Sequence, residues 1–289
     1  MPAPYDGPPV LFLHGFWHGS WCWTEVLACV TSAGARALAV EMAGHGLRAR
    51  RPAALTGRPF DPELLAAEVS PVASVDLDQA GDLLVSQVKQ LGGGSPVAVV
   101  AHSMGGAVLT RAGQQVPDLI AHAVYVAAFM PASGVSPAAY VRMPESEGGR
   151  VGTLRVGDAR AVGALRMDVA SPDPAYRAAV RETFYADVDP VTADAAIALL
   201  TPDAPVGIST GKTTLTADGW GSIPRTYVLC TNDLVVPPPL QRKFIADADA
   251  AFPANPTTVR TLESSHSPFL SMPAQLATLV LDAIASDVP

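Results

Sequence analysis

The chain is 289 residues long, 49% hydrophobic and 16% charged, with a formal net charge of −8. That length suffices for one large α/β domain with an insertion or for two small domains. The acidic balance argues against a nucleic-acid partner, the basic stretch "LRARRP" at 47–52 is too short to be more than a solvated loop, and no apolar run reaches the ~18 residues of a membrane span.

The elements read in order along the chain. "VLFL" (10–13) and "ALAV" (37–40) are the first two strands, and the Pro- and Arg-bearing stretch 43–74, without periodicity, predicts a long loop. "VDLDQAGDLLVSQVKQLGGG" places Leu77, Ala80, Leu84, Val88 and Leu91 on one helical stripe, and its glycines end the helix. "VAVVA" (97–101) is a strand that runs into "HSMGG" and then a helical "AVLTRAGQQV"; "AVYVAAF" (123–129) follows as the next strand. From 131 to 221 no strong strand appears, and segments such as "DPAYRAAVRETFYAD" and "PVTADAAIALL" predict a largely helical cap over one end of the sheet. "TYVLC" (226–230) and "TVRTL" (258–262) are the last strands, interleaved with helices over "PPLQRKFIADADA" and "PAQLATLVLDAIA".

Most of these strands are continuously apolar, as expected where both faces are covered. Strand–helix alternation then predicts a mostly parallel, doubly wound α/β sheet of about six strands. The expected organisation is a core formed by 1–130 and 222–289, with 131–221 inserted as the cap. Cys22, Cys29 and Cys230 form no CxxC pair, which fits a reducing compartment. The stretch "MPAPYDGPPV" carries neither a charged n-region nor a long apolar run, so a cytoplasmic location is the expectation.

The stretch Ala101-His102-Ser103-Met104-Gly105 lies between a strand and a helix. It matches G-x-S-x-G with alanine at the first small position, the pattern of a nucleophile elbow. Such a turn strains the serine backbone and lifts its hydroxyl to the start of a helix, where N–H groups favour negative charge. A serine needs a base, and the expected chain order is Ser, then an acid, then His. His266 in "LESSHSPFLSMP" follows the last strand, whereas His122 precedes the strand read at 123–129 and is assigned a structural or surface role. Asp233 in "TYVLCTNDLVVPP" follows its strand on a loop, while Asp247 and Asp249 fall inside the next helix and are poorer candidates. Backbone N–H groups of Met104 and Phe16 are the candidate oxyanion donors. His14 and His18 are read as loop-orienting rather than metal-binding, because no nearby carboxylate or cysteine completes a coordination set. Phe16, Trp17, Met104, Phe129, Met130, Tyr140, Trp220 and Phe269 are the candidates for an apolar, aromatic pocket.

Taken together, "LHGFWHGSWCW", "AHSMGG", "YVAAFMP", "YVLCTNDLVVPP" and "SSHSPFLSMP" resemble the α/β-hydrolase superfamily, most closely the branch of plant methylesterases and hydroxynitrile lyases. The resemblance covers nearly the whole chain and is weakest over 43–74 and 131–221. It implies a Ser103–His266–Asp233 triad, Phe16 and Met104 as oxyanion donors, a cap that forms the substrate tunnel, and activity without a cofactor. The lyases carry a lysine after the triad histidine, a threonine and a glutamate where this chain has Ser267, Gly15 and His102. Those departures favour an esterase. The expectation is a monomer or homodimer that hydrolyses small lipophilic or aromatic esters, with no nucleic-acid or membrane partner. A lactonase, a lyase using the same triad, and a silent ligand receptor on the same fold are the alternatives.

Overall fold

The computed structural model describes residues 5–285. The strands are β1 (Val10–Leu13), β2 (Ala37–Val40), β3 (Val97–His102), β4 (Ile120–Val126), β5 (Arg155–Val156), β6 (Ala164–Met167), β7 (Asp203–Pro205), β8 (Arg225–Cys230) and β9 (Thr258–Leu262). Six of them form one sheet in the order β2-β1-β3-β4-β8-β9, and every neighbouring pair is parallel. Alternate residues of one strand face opposite ways. Leu11, Leu13, Val99, Ala101, Tyr125 and Leu229 therefore enter one core, while Val10, Phe12, Ala98, Val100, Val124 and Val228 enter the other. Burial of each such large side chain contributes about 1.5–3 kcal/mol, which is why β1 and, up to His102, β3 read as apolar runs.

Helices cover both faces. The one over Leu77–Gly92 starts at a reciprocal capping pair, Asp76 with Gln79, and stops at Gly93, whose φ of 59° is left-handed. The strand order reverses between β1 and β3, since β2 lies to one side of β1 and all later strands to the other. In open sheets of this kind the ligand crevice sits at the carboxyl ends of the strands flanking that reversal.

Three details depart from the sequence reading. The stretch 43–74 is not a bare loop: it holds a helix over Pro62–Ala67, capped by the Asp61 carboxylate on the amides of Glu63 and Leu64. Strand β4 runs over Ile120–Val126, so His122 lies inside it and is buried, its Nε2 3.0 Å from Thr226 Oγ1 on β8. The segment between β4 and β8 is helical over Pro174–Tyr185 and Pro190–Leu199, yet it also carries an antiparallel sheet, β5-β6-β7. Its strands are too short to show a period, and β6 interrupts its apolar run with a charge, Arg166.

Arg166 is buried without exposure and donates from Nε and Nη2 to the two Asp203 carboxylate oxygens, both at 2.7 Å, while Nη1 donates to the carbonyls of Leu65 and Glu68. One guanidinium thus joins the inserted sheet to the helix over Pro62–Ala67. Asp203→Ala strands that charge and is expected to cost about 3–5 kcal/mol of unfolding free energy. Denaturant titration measures it; a cost under about 1 kcal/mol would show the pair to be dispensable.

Candidate active site

The site is assembled at the carboxyl ends of β1, β3, β8 and β9. Ser103 follows β3 with φ 52°, and Trp17 after β1 and Ala127 after β4 also have positive φ, 62° and 44°. Among the described residues these are the non-glycine positions in that region, so backbone strain collects at one end of the sheet. The Ser103 carbonyl accepts from the amides of Gly106 (3.1 Å) and Phe129 (2.9 Å), which fixes the bend as the helix Gly105–Gln115 begins. The small residues are required by close approach. A Cβ on Gly106 would lie 2.3 Å from the Phe129 carbonyl oxygen, and one on Gly15 would lie 2.5 Å from Ser103 Cβ. The loop after β1 therefore passes directly against the serine.

His266 and Asp233 meet: Nδ1 donates to Asp233 Oδ2 at 2.8 Å, and both residues are 1% exposed. The other carboxylate oxygen, Oδ1, accepts from the amides of Val235 (2.7 Å) and Val236 (3.0 Å). With Nδ1 as donor, neutral His266 presents Nε2 as a proton acceptor. The imidazole loop is pinned on both sides. His102 Nε2 donates to the His266 carbonyl at 2.8 Å, and the ring centroids of the two histidines are 4.4 Å apart. On the other side the Ser265 amide donates to Asp187 Oδ2 at 2.9 Å, and the Ser265 hydroxyl donates to Oδ1. Since His102 precedes Ser103, these contacts hold the His266 loop against the strand end that carries the serine. Ser103 is 7% exposed, and its hydroxyl has no hydrogen-bond partner among the described residues.

The loop after β1 is held from within and from the inserted segment. His14 Nδ1 donates to the Gly15 carbonyl (2.7 Å), and its Nε2 lies 3.1 Å from the Glu41 carboxylate and accepts from the Met42 amide. His18 Nδ1 donates to the Phe16 carbonyl, and its Nε2 accepts from the Tyr185 hydroxyl, both at 2.9 Å. Trp17 is fastened to the insert: its Nε1 donates to the Leu165 carbonyl (2.9 Å), and its carbonyl accepts from the amide (2.7 Å) and hydroxyl (3.1 Å) of Thr201. Among the described residues the N–H groups of Phe16 and Met104 donate to no protein acceptor. No group of three or more His, Cys, Asp or Glu side chains among those residues could hold a metal ion, and no helix is long and apolar enough to cross a membrane.

The proposed pocket residues separate into two sets. Phe16, Trp17, Met104, Phe129, Met130, Tyr140 and Trp220 share one core, and Phe269 enters the other. Tyr140 shares the Phe244 ring with Phe129, at 4.6 and 5.4 Å between centroids, and its hydroxyl donates to Asp247, 3.0 Å distant, on the helix Pro238–Ala251. Trp220 is misplaced by the sequence reading. Its amide donates to Gln114, at the far end of the helix that starts beside Ser103, roughly 15 Å along the axis at about 1.5 Å per residue. There its Nε1 donates to the Tyr125 hydroxyl and Arg225 stacks over its ring. Phe269 packs behind the bend in the opposite core, its ring centroid 4.9 Å from that of His102 and 5.4 Å from that of Trp23. Sequence reasoning missed Phe184, which faces Trp17, His18 and His266 at 5.8, 5.8 and 6.1 Å between ring centroids. It also missed Glu41, Tyr185 and Asp187, none of which stands in a recognisable pattern.

Burial, reinforced by the charge of neighbouring imidazoles, pushes His18 and His45 from the usual 6.5 down to about 3 and lowers His102 as well. The native state excludes protons that the unfolded chain takes up below about pH 6.5. Stability is therefore expected to be level above that pH and to fall on acidification towards pH 3, by about 1.4 kcal/mol per pH unit for each such histidine. Unfolding free energies measured between about pH 7.5 and 5 check the sign; a flat profile would show that these rings protonate freely in the fold.

Residues 10–279 match the family model described as the alpha/beta hydrolase family. A probable esterase of rice, PIR7A of Oryza sativa subsp. indica, is 35% identical over 128 residues, covering 44% of this chain and 41% of that protein's own length. Methylesterase 3 of Arabidopsis thaliana is 26% identical over 276 residues, 94% of each chain. In fold the chain is similar to a pyrethroid hydrolase from Sphingobium faniae JZ-2, with a TM-score of 0.71 at 20% identity over 96% of this chain and 98% of the other. The strand order, the serine bend and the match over nearly the whole length agree: the chain belongs to the α/β-hydrolase family.

Proposed function

We propose that the protein is a serine-dependent carboxylic ester hydrolase acting on small lipophilic or aromatic esters. The observation that carries this reading is the buried His266–Asp233 pair beside a serine in left-handed backbone geometry. The names of its relatives, a probable esterase and a methylesterase, agree with it. In this reading Ser103 attacks the ester carbonyl as His266 Nε2 takes its proton, and Asp233 steadies the imidazolium. The Phe16 and Met104 amides, without protein acceptors, receive the oxyanion, each donor contributing about 3 kcal/mol to the transition state. His266 returns the proton to the leaving alcohol, and water repeats the cycle on the acyl-enzyme. A nucleophile with no hydrogen bond in the unliganded protein is consistent with this, because such bonds tighten as substrate binds. Residues 131–221 act as the cap, with Phe16, Trp17, Met104, Phe129 and Met130 as the apolar lining.

The test is labelling with an organophosphonate followed by peptide mapping, run beside hydrolysis of methyl and p-nitrophenyl esters. A covalent adduct on Ser103 and stoichiometric release of acid are expected. A protein that takes no label, or one that cleaves substrate without forming acid, would overturn the reading in favour of a silent receptor or a lyase respectively.

A further inference from the structure

The Gly15 carbonyl and the Phe16 N–H belong to one trans peptide group, and in such a group the two point to opposite sides. Whatever holds the carbonyl therefore aims the N–H. His14 does so: its ring is fully buried, and Nδ1 donates to the Gly15 carbonyl at 2.7 Å. A carbonyl can only accept, so the Nδ1 proton is fixed. The Nε2 edge of the same ring faces the Met42 amide and Glu41 Oε2, each at 3.1 Å.

Glu41, directly after β2, is itself seated. Oε2 accepts from the Ser20 amide at 3.1 Å and Oε1 from the Ser20 hydroxyl at 2.8 Å. A Cβ on Gly46, whose φ is 54°, would overlap the carboxylate, so the chain beyond β2 closes down on it. Burial pushes the Glu41 carboxyl up, but its contacts with His14 and Ser20 outweigh that and hold it below its ordinary value. Carboxylate, imidazole and peptide thus stand in a row that ends at the serine, since a Cβ on Gly15 would lie 3.1 Å from Ser103 Oγ. We propose that His14 and Glu41 are positioning residues for the oxyanion donor: His14 holds the Gly15–Phe16 peptide with its N–H free for the reacting oxygen, and Glu41 holds His14. A bond accepted by the carbonyl also strengthens the N–H at the other end, because linked hydrogen bonds polarise one another. The inference rests on the ester-hydrolase reading for the use of that N–H, and on the contacts alone for the clamp.

The experiment compares His14→Phe, which keeps a ring and loses the donor, with His14→Asn, which offers a side-chain N–H near the lost Nδ1. His14→Phe is expected to lower kcat by about a hundredfold, as loss of an oxyanion donor does, with KM little changed, and His14→Asn to recover most of it. A trifluoromethyl ketone reads the oxyanion directly: Ser103 Oγ bonds to the carbonyl carbon, its proton passes to His266, and the π pair of the C=O goes to oxygen. Its affinity is expected to fall in step with kcat while binding of the acid product holds; a merely structural role would weaken both. Exchange of the Phe16 amide hydrogen, measured without ligand, is expected to quicken in His14→Phe and not in His14→Asn. Glu41→Gln, at the outer end of the row, gives a smaller loss in the same direction and carries the comparison if His14→Phe does not fold. A kcat that His14→Phe leaves unchanged, or a ketone affinity that does not follow kcat, overturns the proposal. A wild type that takes neither ester nor ketone overturns the ester-hydrolase reading, and the exchange rates then decide the clamp by themselves.

Discussion

Ser103→Ala is expected to lower kcat for ester hydrolysis by a factor on the order of a million while the protein stays folded. The structure says why the two effects separate. The hydroxyl has no hydrogen-bond partner among the described residues, so removing it orphans nothing. The bonds that fix the bend run through the Ser103 carbonyl, which accepts from Gly106 and Phe129, and alanine keeps them. Steady-state hydrolysis gives the activity and thermal unfolding the stability. Activity retained within tenfold would move the nucleophile elsewhere, and a collapsed unfolding transition would make Ser103 a structural residue of the bend.

Asp233→Asn is expected to cost a factor on the order of ten thousand, less than loss of the nucleophile, with the fold again intact. Asp233 Oδ1 accepts two backbone amides, so the single oxygen of asparagine stays there and its NH2 turns to His266. That amide donates to Nδ1, which forces the proton onto Nε2 and removes the base that Ser103 needs. The loss thus comes from a tautomer rather than from a lost contact. The measurement is kcat/KM with a melting curve beside it; a loss below tenfold would assign the acid's role to another carboxylate.

Much of this architecture was readable from residue order because its causes are local. The continuous apolar runs of β1 and β3 announce strands covered on both faces, whereas the part-exposed edge strands β2 and β9 follow from the strand–helix alternation. Glycines after Ser103, and Gly15 across from it, announce close backbone approach, and the order Ser103, Asp233, His266 follows from the sheet. What stayed hidden depends on contacts between distant segments. Asp187 stands in a helix–loop connection and acquires its role only when the insert meets Ser265. Trp220 is an aromatic like Trp17, and nothing in sequence says that one packs beneath Arg225 while the other meets the insert. The short strands β5, β6 and β7 lack the length for a period and are held by the Arg166–Asp203 pair, which reads in one dimension as two unrelated surface charges.

The fastening of Trp17 has a practical consequence. Its left-handed backbone is kept in place by Leu165 and Thr201, side by side with the amide of Phe16. Lid exchange is a common engineering route to new selectivity, on the assumption that scaffold and lid are separable modules. If residues 131–221 act as the proposed lid, a transplanted one lacking counterparts of those two residues would let the neighbouring peptide, the proposed oxyanion donor, relax, so rate would change along with selectivity. Libraries built on this scaffold should therefore keep positions 165 and 201 fixed while the rest of the lid is varied.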